Sequence, residues 1–93
     1  MEQDLKLLYA HALVEYGPEA QQMMLIEEIG ELLNAVAKFP RGRSRPEDII
    51  EELADVSIMV EQIALLYGWE RFELERERKL ERLKMRLEKH SNS

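Results

Sequence analysis

The chain has no cysteine and few aromatics: one Trp, three Tyr and two Phe in 93 residues. Without cysteine there is neither a disulfide framework nor a thiolate metal site. No apolar run approaches the roughly 20 residues of a membrane span, so no membrane partner is expected. The opening MEQDLKLL is acidic at once and lacks the charged-then-apolar layout of a secretory leader; a cytoplasmic protein is the expectation. Basic residues are outnumbered 13 to 19, and the net charge of -6 argues against a general binder of nucleic-acid polymer, whose phosphates would be repelled.

What is present suits helices. Aliphatics are plentiful, and the few prolines and glycines fall between periodic stretches. Residues 2–16 form a first helix with an apolar face of Leu5, Leu8 and Ala12, joined by Tyr9 and Tyr16. Gly17-Pro18 ends it, glycine suiting a helix end and proline the first turn of the next. A second helix covers 18–38 and stops at Phe39-Pro40. The connection RGRSR follows, with Arg41, Arg43 and Arg45 partly balanced by Glu47 and Asp48; it reads as a solvated loop. Ser44 with Glu47 has the spacing of a capping box, and Pro46 fits the first turn of a third helix over 46–67. Gly68 stops that helix, a fourth covers 69–90, and the tail HSNS frays. The fold class is therefore all-α, a four-helix bundle in one domain, 1–93. A core this small is thin, and a second apolar stripe (Ile58, Leu65 and Ala54 on the third helix, Met23 and Ile26 on the second) has no use in a monomer. Completion by self-association, as homodimer or homotetramer, is expected.

The chemistry lies in the two central helices. At about 100° per residue, the second helix has an apolar arc of Met24, Leu25, Ile29, Leu32, Leu33, Ala35 and Val36. Glu28 falls inside this arc and Glu31 on its edge. The third helix has an arc of Ile49, Leu53, Val56, Met59, Val60 and Ile63, with Glu52 inside and Asp55 on the same edge. Glu27 and Glu51 occupy the outer faces beside them. A single acidic pair on a helix is usually a solvated face. Two pairs at matching angles turn four carboxylates toward one seam, where desolvation and mutual repulsion demand a raised pKa or a cation. Hard divalent cations take oxygen ligands of this kind. His11 stands alone on the first helix and reads as a packing or surface residue.

The fourth helix offers the opposite charge. Arg76 and Lys79 fall among Trp69, Phe72, Leu80, Leu83 and Leu87, with Arg86 near the edge. Long basic side chains there either snorkel past the core into water or meet a phosphate chain. Trp69 and Phe72 read as core packing in preference to a base-stacking platform.

The ordered set Glu27-Glu28-Ile29-Gly30-Glu31, twenty residues, then Glu52-Leu53-Ala54-Asp55 resembles the EExxE and ExxD signature of the MazG-like all-α nucleoside triphosphate pyrophosphohydrolases. Lys79-Leu80-Glu81-Arg82 is similar to that superfamily's downstream basic motif, although the connection from Gly68 to Lys79 is short for it. The resemblance covers roughly residues 20–85. It implies hydrolysis of a nucleoside triphosphate, ribo or deoxy, at the α–β bond to monophosphate and pyrophosphate, with Mg²⁺ as cofactor and Mn²⁺ as a substitute, in nucleotide-pool house-cleaning. It implies Glu28, Glu31, Glu52 and Asp55 as metal ligands, Glu27 as holder of a water or as base, with Glu28 beside it in catalysis, and Lys79 and Arg82 as phosphate contacts. Angular position favours Lys79 and Arg76 for that task, since Arg82 sits off the apolar face. A carboxylate-bridged di-iron bundle needs Glu-x-x-His pairs, which neither His11 nor His90 completes. The remaining alternative is a helical interaction or assembly module without catalysis.

Overall fold

A computed structural model describes residues 1–92. Its helices are α1 (Gln3–Tyr16), α2 (Pro18–Lys38), α3 (Pro46–Tyr67) and α4 (Trp69–Ser91), with a 3₁₀ turn at Phe39–Arg41. There is no strand among the described residues, and the fold is all-α as the periodicity predicts. Gly17 (φ 87°) and Gly68 (φ 138°) take backbone angles that side chains disfavour. Their N–H groups close the preceding helices on the carbonyls of Leu13 (3.0 Å) and Ala64 (2.8 Å).

The centre of the fold is an antiparallel hairpin of α2 and α3, the most extensive packing in the molecule. Its register is fixed at the open end by a buried hydrogen bond in which the Gln21 amide donates to the Gln62 carbonyl oxygen. An amide pair satisfies both partners without burying charge, which a lone polar group there could not do. The closed end is fixed by Ser44, whose hydroxyl donates to the Ala35 carbonyl at 2.6 Å. Helix α1 lies chiefly on α3, where the Tyr9 hydroxyl donates to Glu61 at 2.7 Å. Burial raises the Tyr9 pKa to about 12, with help from the hydrogen bond and charge of Glu61. Helix α4 meets α3 through its first turns, where Trp69 and Phe72 stand with ring centroids 5.3 Å apart and both half-buried. From Arg76 to Asn92 every residue is exposed.

Three local expectations are corrected. The buried residues of α1 are Tyr9 and Leu13, while Leu8 and Tyr16 are 62% and 66% exposed. The Tyr9–Glu61 bond sets the rotation of α1, and the covered stripe runs through Leu5, Tyr9, Ala12 and Leu13. The cap of α3 is Arg45, not Ser44: the helix begins at Pro46, and the Arg45 N–H donates to the Asp48 carboxylate at 2.8 Å. The tail does not fray at His90. Helix α4 continues through Ser91, with Lys89 in its last turn, where a cation is favoured by the helix dipole. Ser93 lies outside the described residues.

Among the described residues only Tyr9, Leu13, Ala35 and Met59 are buried apolar residues. Leu33, Ile50 and Leu53 on the hairpin and Leu80, Leu83 and Leu87 on α4 are each about half exposed or more. No helix among the described residues is long and apolar enough to cross a membrane.

Candidate metal centre

Glu28 and Glu31 on α2 face Glu52 on α3 across the hairpin seam. Each offers a carboxylate oxygen, and the three oxygens lie within 4.8 Å of one another. The helical repeat explains the placement. Glu28 lies two turns from both Gln21 and Ala35 on α2, and Glu52 two turns from Met59 on α3; Gln21, Ala35 and Met59 are buried. Glu28 and Glu52 are half-buried, while Glu31 and Asp55 lie at the exposed edge of the same seam.

The electrostatics follow from this geometry. Burial raises the Glu28 pKa first; the charges of Glu31 and Asp55, hydrogen bonding with Glu31 and the charge of Glu27 raise it further. Glu52 is raised in the same way, by burial and then by the charge of Glu31, hydrogen bonding with Glu31, and the charges of Glu28 and Asp55. Glu31 is thus the shared neighbour of both. One oxygen each of Glu28 and Glu52 is buried with no hydrogen-bond partner. Buried acceptors are rarely left so, and these two are the least satisfied atoms of the seam.

A hard divalent cation fits these residues. Oxygens within 4.8 Å of one another are close enough for one small cation to lie among them. The donor set is all oxygen, as such ions prefer. Asp55 is outside the three-residue group but close enough for its charge to act on both central glutamates. Glu27 is exposed on the flank of α2 and reaches the group only through its charge on Glu28.

The basic residues of α4 are not brought to this cluster within one chain. Arg76 lines a hollow with Ser57, Glu61, Trp69 and Glu73. Lys79 lies along an apolar groove with Phe72, Leu80 and Leu83, and Arg82 and Arg86 are exposed farther out. Helix α4 parts from α3 after its first turns, so a shared angular face on α4 does not amount to a shared site. A different pair of cations does border the acids. A polar cavity of about 290 Å³ is lined by Glu31, Asn34, Lys38, Arg43, Asp48 and Glu52, among others. The signal for Lys38 was present in its seven-residue offset from Glu31, two turns along one edge of α2. Arg43 belongs to a loop whose path no periodicity encodes.

An all-α chain with a carboxylate-lined seam between two central helices defines the class. The chain belongs to the MazG nucleotide pyrophosphohydrolase domain family, which matches residues 17–88. It is also similar to the uncharacterized protein YvdC of Bacillus subtilis (strain 168), with 37% identity over 65 residues, 58% of this chain and 61% of the relative. The match therefore spans less than two thirds of that protein's length. No solved structure gives a significant match.

Proposed function

We propose that the protein hydrolyses nucleoside triphosphates at the α–β phosphoanhydride, releasing a nucleoside monophosphate and pyrophosphate, in a Mg²⁺-dependent reaction that Mn²⁺ also supports. The observation that carries this reading is the pair of half-buried glutamates, Glu28 and Glu52, each with a buried oxygen and no partner, inside a chain of the MazG family.

A hard divalent ion supplies Lewis-acid polarisation of a phosphate oxygen and a water of lowered pKa. The chain's own residues do the rest. Glu28, Glu31 and Glu52 would hold the ion, and Asp55 would add negative charge at the edge of the seam. Glu27, exposed on the flank of α2 beside Glu28, would hold a water at the edge of the cluster or serve as base. The acidic chain repels a triphosphate in the absence of the cation, so substrate binding and metal binding are one event. Basic side chains offset charge that accumulates on the phosphates in the transition state.

The exposed leucines of the hairpin and of α4 support self-association as a homodimer or homotetramer, which would cover apolar surface that a monomer leaves wet. House-cleaning of a cytoplasmic nucleotide pool is the physiological role that suits the reaction. The test is a panel of ribo- and deoxyribonucleoside triphosphates with Mg²⁺, with monophosphate and pyrophosphate both measured. Release of inorganic phosphate and a diphosphate would overturn the bond assignment. A protein inert to the whole panel would leave the assembly-module reading.

A further inference from the structure

We infer that the phosphate chain of the substrate is gripped by Lys38 and Arg43, from the end of α2 and the loop after it, in the polar cavity beside the carboxylate cluster. The inference rests on the nucleotide reading above and names the residues that bind the leaving pyrophosphate.

The cavity contains Glu31 and Glu52 of the cluster together with two cations. Pockets for small ligands start at roughly 300 Å³, so this one has room for part of a nucleotide, such as its phosphates. Neither cation is already committed: among the described residues Lys38 and Arg43 form no ion pair, whereas the neighbouring Arg45 is engaged with Glu47 at 3.9 Å and Asp48 at 3.7 Å. Asp48, the other acid of the cavity wall, is held by Arg45 as the cap of α3. Two cations that stand beside carboxylates without pairing to them are available to an anion that a metal ion brings in.

The loop is built to hold Arg43 in place. Gly42 turns the chain through a left-handed conformation (φ 68°), and its N–H donates to the Phe39 carbonyl at 3.0 Å. The Arg43 N–H donates to the Lys38 carbonyl at 3.1 Å, and the Ser44 hydroxyl donates to Ala35. Together these bonds fold the connection back over the end of α2, next to Lys38. A lysine in the last turn of a helix is favoured by the helix dipole, which accounts for Lys38 alone. The dipole gives no reason for Arg43 to line the same cavity. Arginine presents a planar fork that matches phosphate oxygens, and lysine a mobile point charge; the two together suit a flexible polyphosphate.

The experiment compares Lys38→Met, Arg43→Ala and Arg43→Lys with Arg41→Ala, which removes one positive charge from the same connection away from the cavity. Binding of inorganic pyrophosphate with Mg²⁺ present is measured by calorimetry, Mg²⁺ binding is measured separately, and KM is measured on a nucleoside triphosphate. Lys38→Met and Arg43→Ala are each expected to weaken pyrophosphate binding about tenfold and to raise KM comparably. Mg²⁺ affinity and helix content should be unchanged, Arg43→Lys should recover part of the loss, and Arg41→Ala should stay within about twofold of wild type. Equal losses in Arg41→Ala and Arg43→Ala would reduce the effect to bulk charge and overturn the inference. So would wild-type pyrophosphate affinity in both cavity variants with the loss appearing in Arg76→Ala or Lys79→Ala. Those outcomes leave wild-type turnover intact, whereas a wild-type protein with neither turnover nor pyrophosphate binding brings down both readings.

Discussion

Glu28 and Glu52 face each other across the α2–α3 seam, each with one carboxylate oxygen buried and unpartnered. The charged forms are costly there, and both pKa values lie above the ordinary 4.5. A raised carboxylate pKa means that the folded state holds its protons at a pH where the unfolded chain has released them. Stability of the metal-free protein should therefore fall as pH rises from about 4.5 through the raised values, and level off above them. A thermal unfolding series in chelator from pH 5 to pH 8 is expected to show the higher Tm at the acid end. Glu28→Gln and Glu52→Gln should each raise Tm at pH 8 and flatten the slope.

The same two substitutions should abolish metal-dependent stabilisation. Mg²⁺ or Mn²⁺ at a hundred times its dissociation constant adds about 2.7 kcal/mol to the folded state, visible as a rise in Tm that chelation reverses. Glu28→Gln and Glu52→Gln are expected to lose this rise. They should also lose nucleotide hydrolysis by more than the roughly 10–100-fold that an outer-shell partner costs. An unaltered metal response in both variants would contradict the proposed centre.

Tyr9→Phe tests the docking of α1. The variant keeps the ring and removes a hydrogen bond to Glu61 of 2.7 Å, at a cost of about 1–2 kcal/mol. In a domain of this size that lowers Tm by several degrees, about 4–8 °C per kcal/mol, with metal binding unchanged. Because the Tyr9 pKa is raised to about 12, its contribution is complete below pH 10 and is lost as pH climbs toward 12. Wild type should therefore show an alkaline loss of stability over that interval that the phenylalanine variant lacks.

Self-association has its own test. Leu33 and Leu53 are 65% and 51% exposed in the single chain, and light scattering is expected to give a mass at least twice 11.0 kDa. Leu53→Lys should shift that mass toward the monomer. A monodisperse monomer for wild type would remove the oligomer from the reading.

Much of this architecture is legible in the sequence because its punctuation is local. Gly17-Pro18, Phe39-Pro40 and Gly68 end helices through backbone geometry that needs no tertiary information, and the element boundaries follow. The meeting of Glu28, Glu31 and Glu52 is legible because two helices in a hairpin with the same angular pattern have one way to face each other. What periodicity does not encode is the partner of each face. The rotation of α1 depends on one hydroxyl reaching Glu61. Ser44 has the spacing of a cap yet bonds back to Ala35, which only the folded loop reveals. Arg76 and Lys79 share a stripe with the apolar residues of α4, but where that stripe goes is set by how α4 leaves α3. Lys38 and Arg43 are near the acids through a loop conformation that depends on a left-handed glycine.

The seam is fastened on either side of its acids, by the Gln21–Gln62 amides at the open end and by the Ser44 bond to Ala35 at the closed end. Amides and hydroxyls neither gain nor lose protons across the working range, so acidification and chelation leave both fastenings untouched. Mutual repulsion among the carboxylates cannot splay the hairpin like scissors, because both tips are clasped. The three carboxylates are then held in place by the fold itself, and an ion bound among them would require little rearrangement of the backbone.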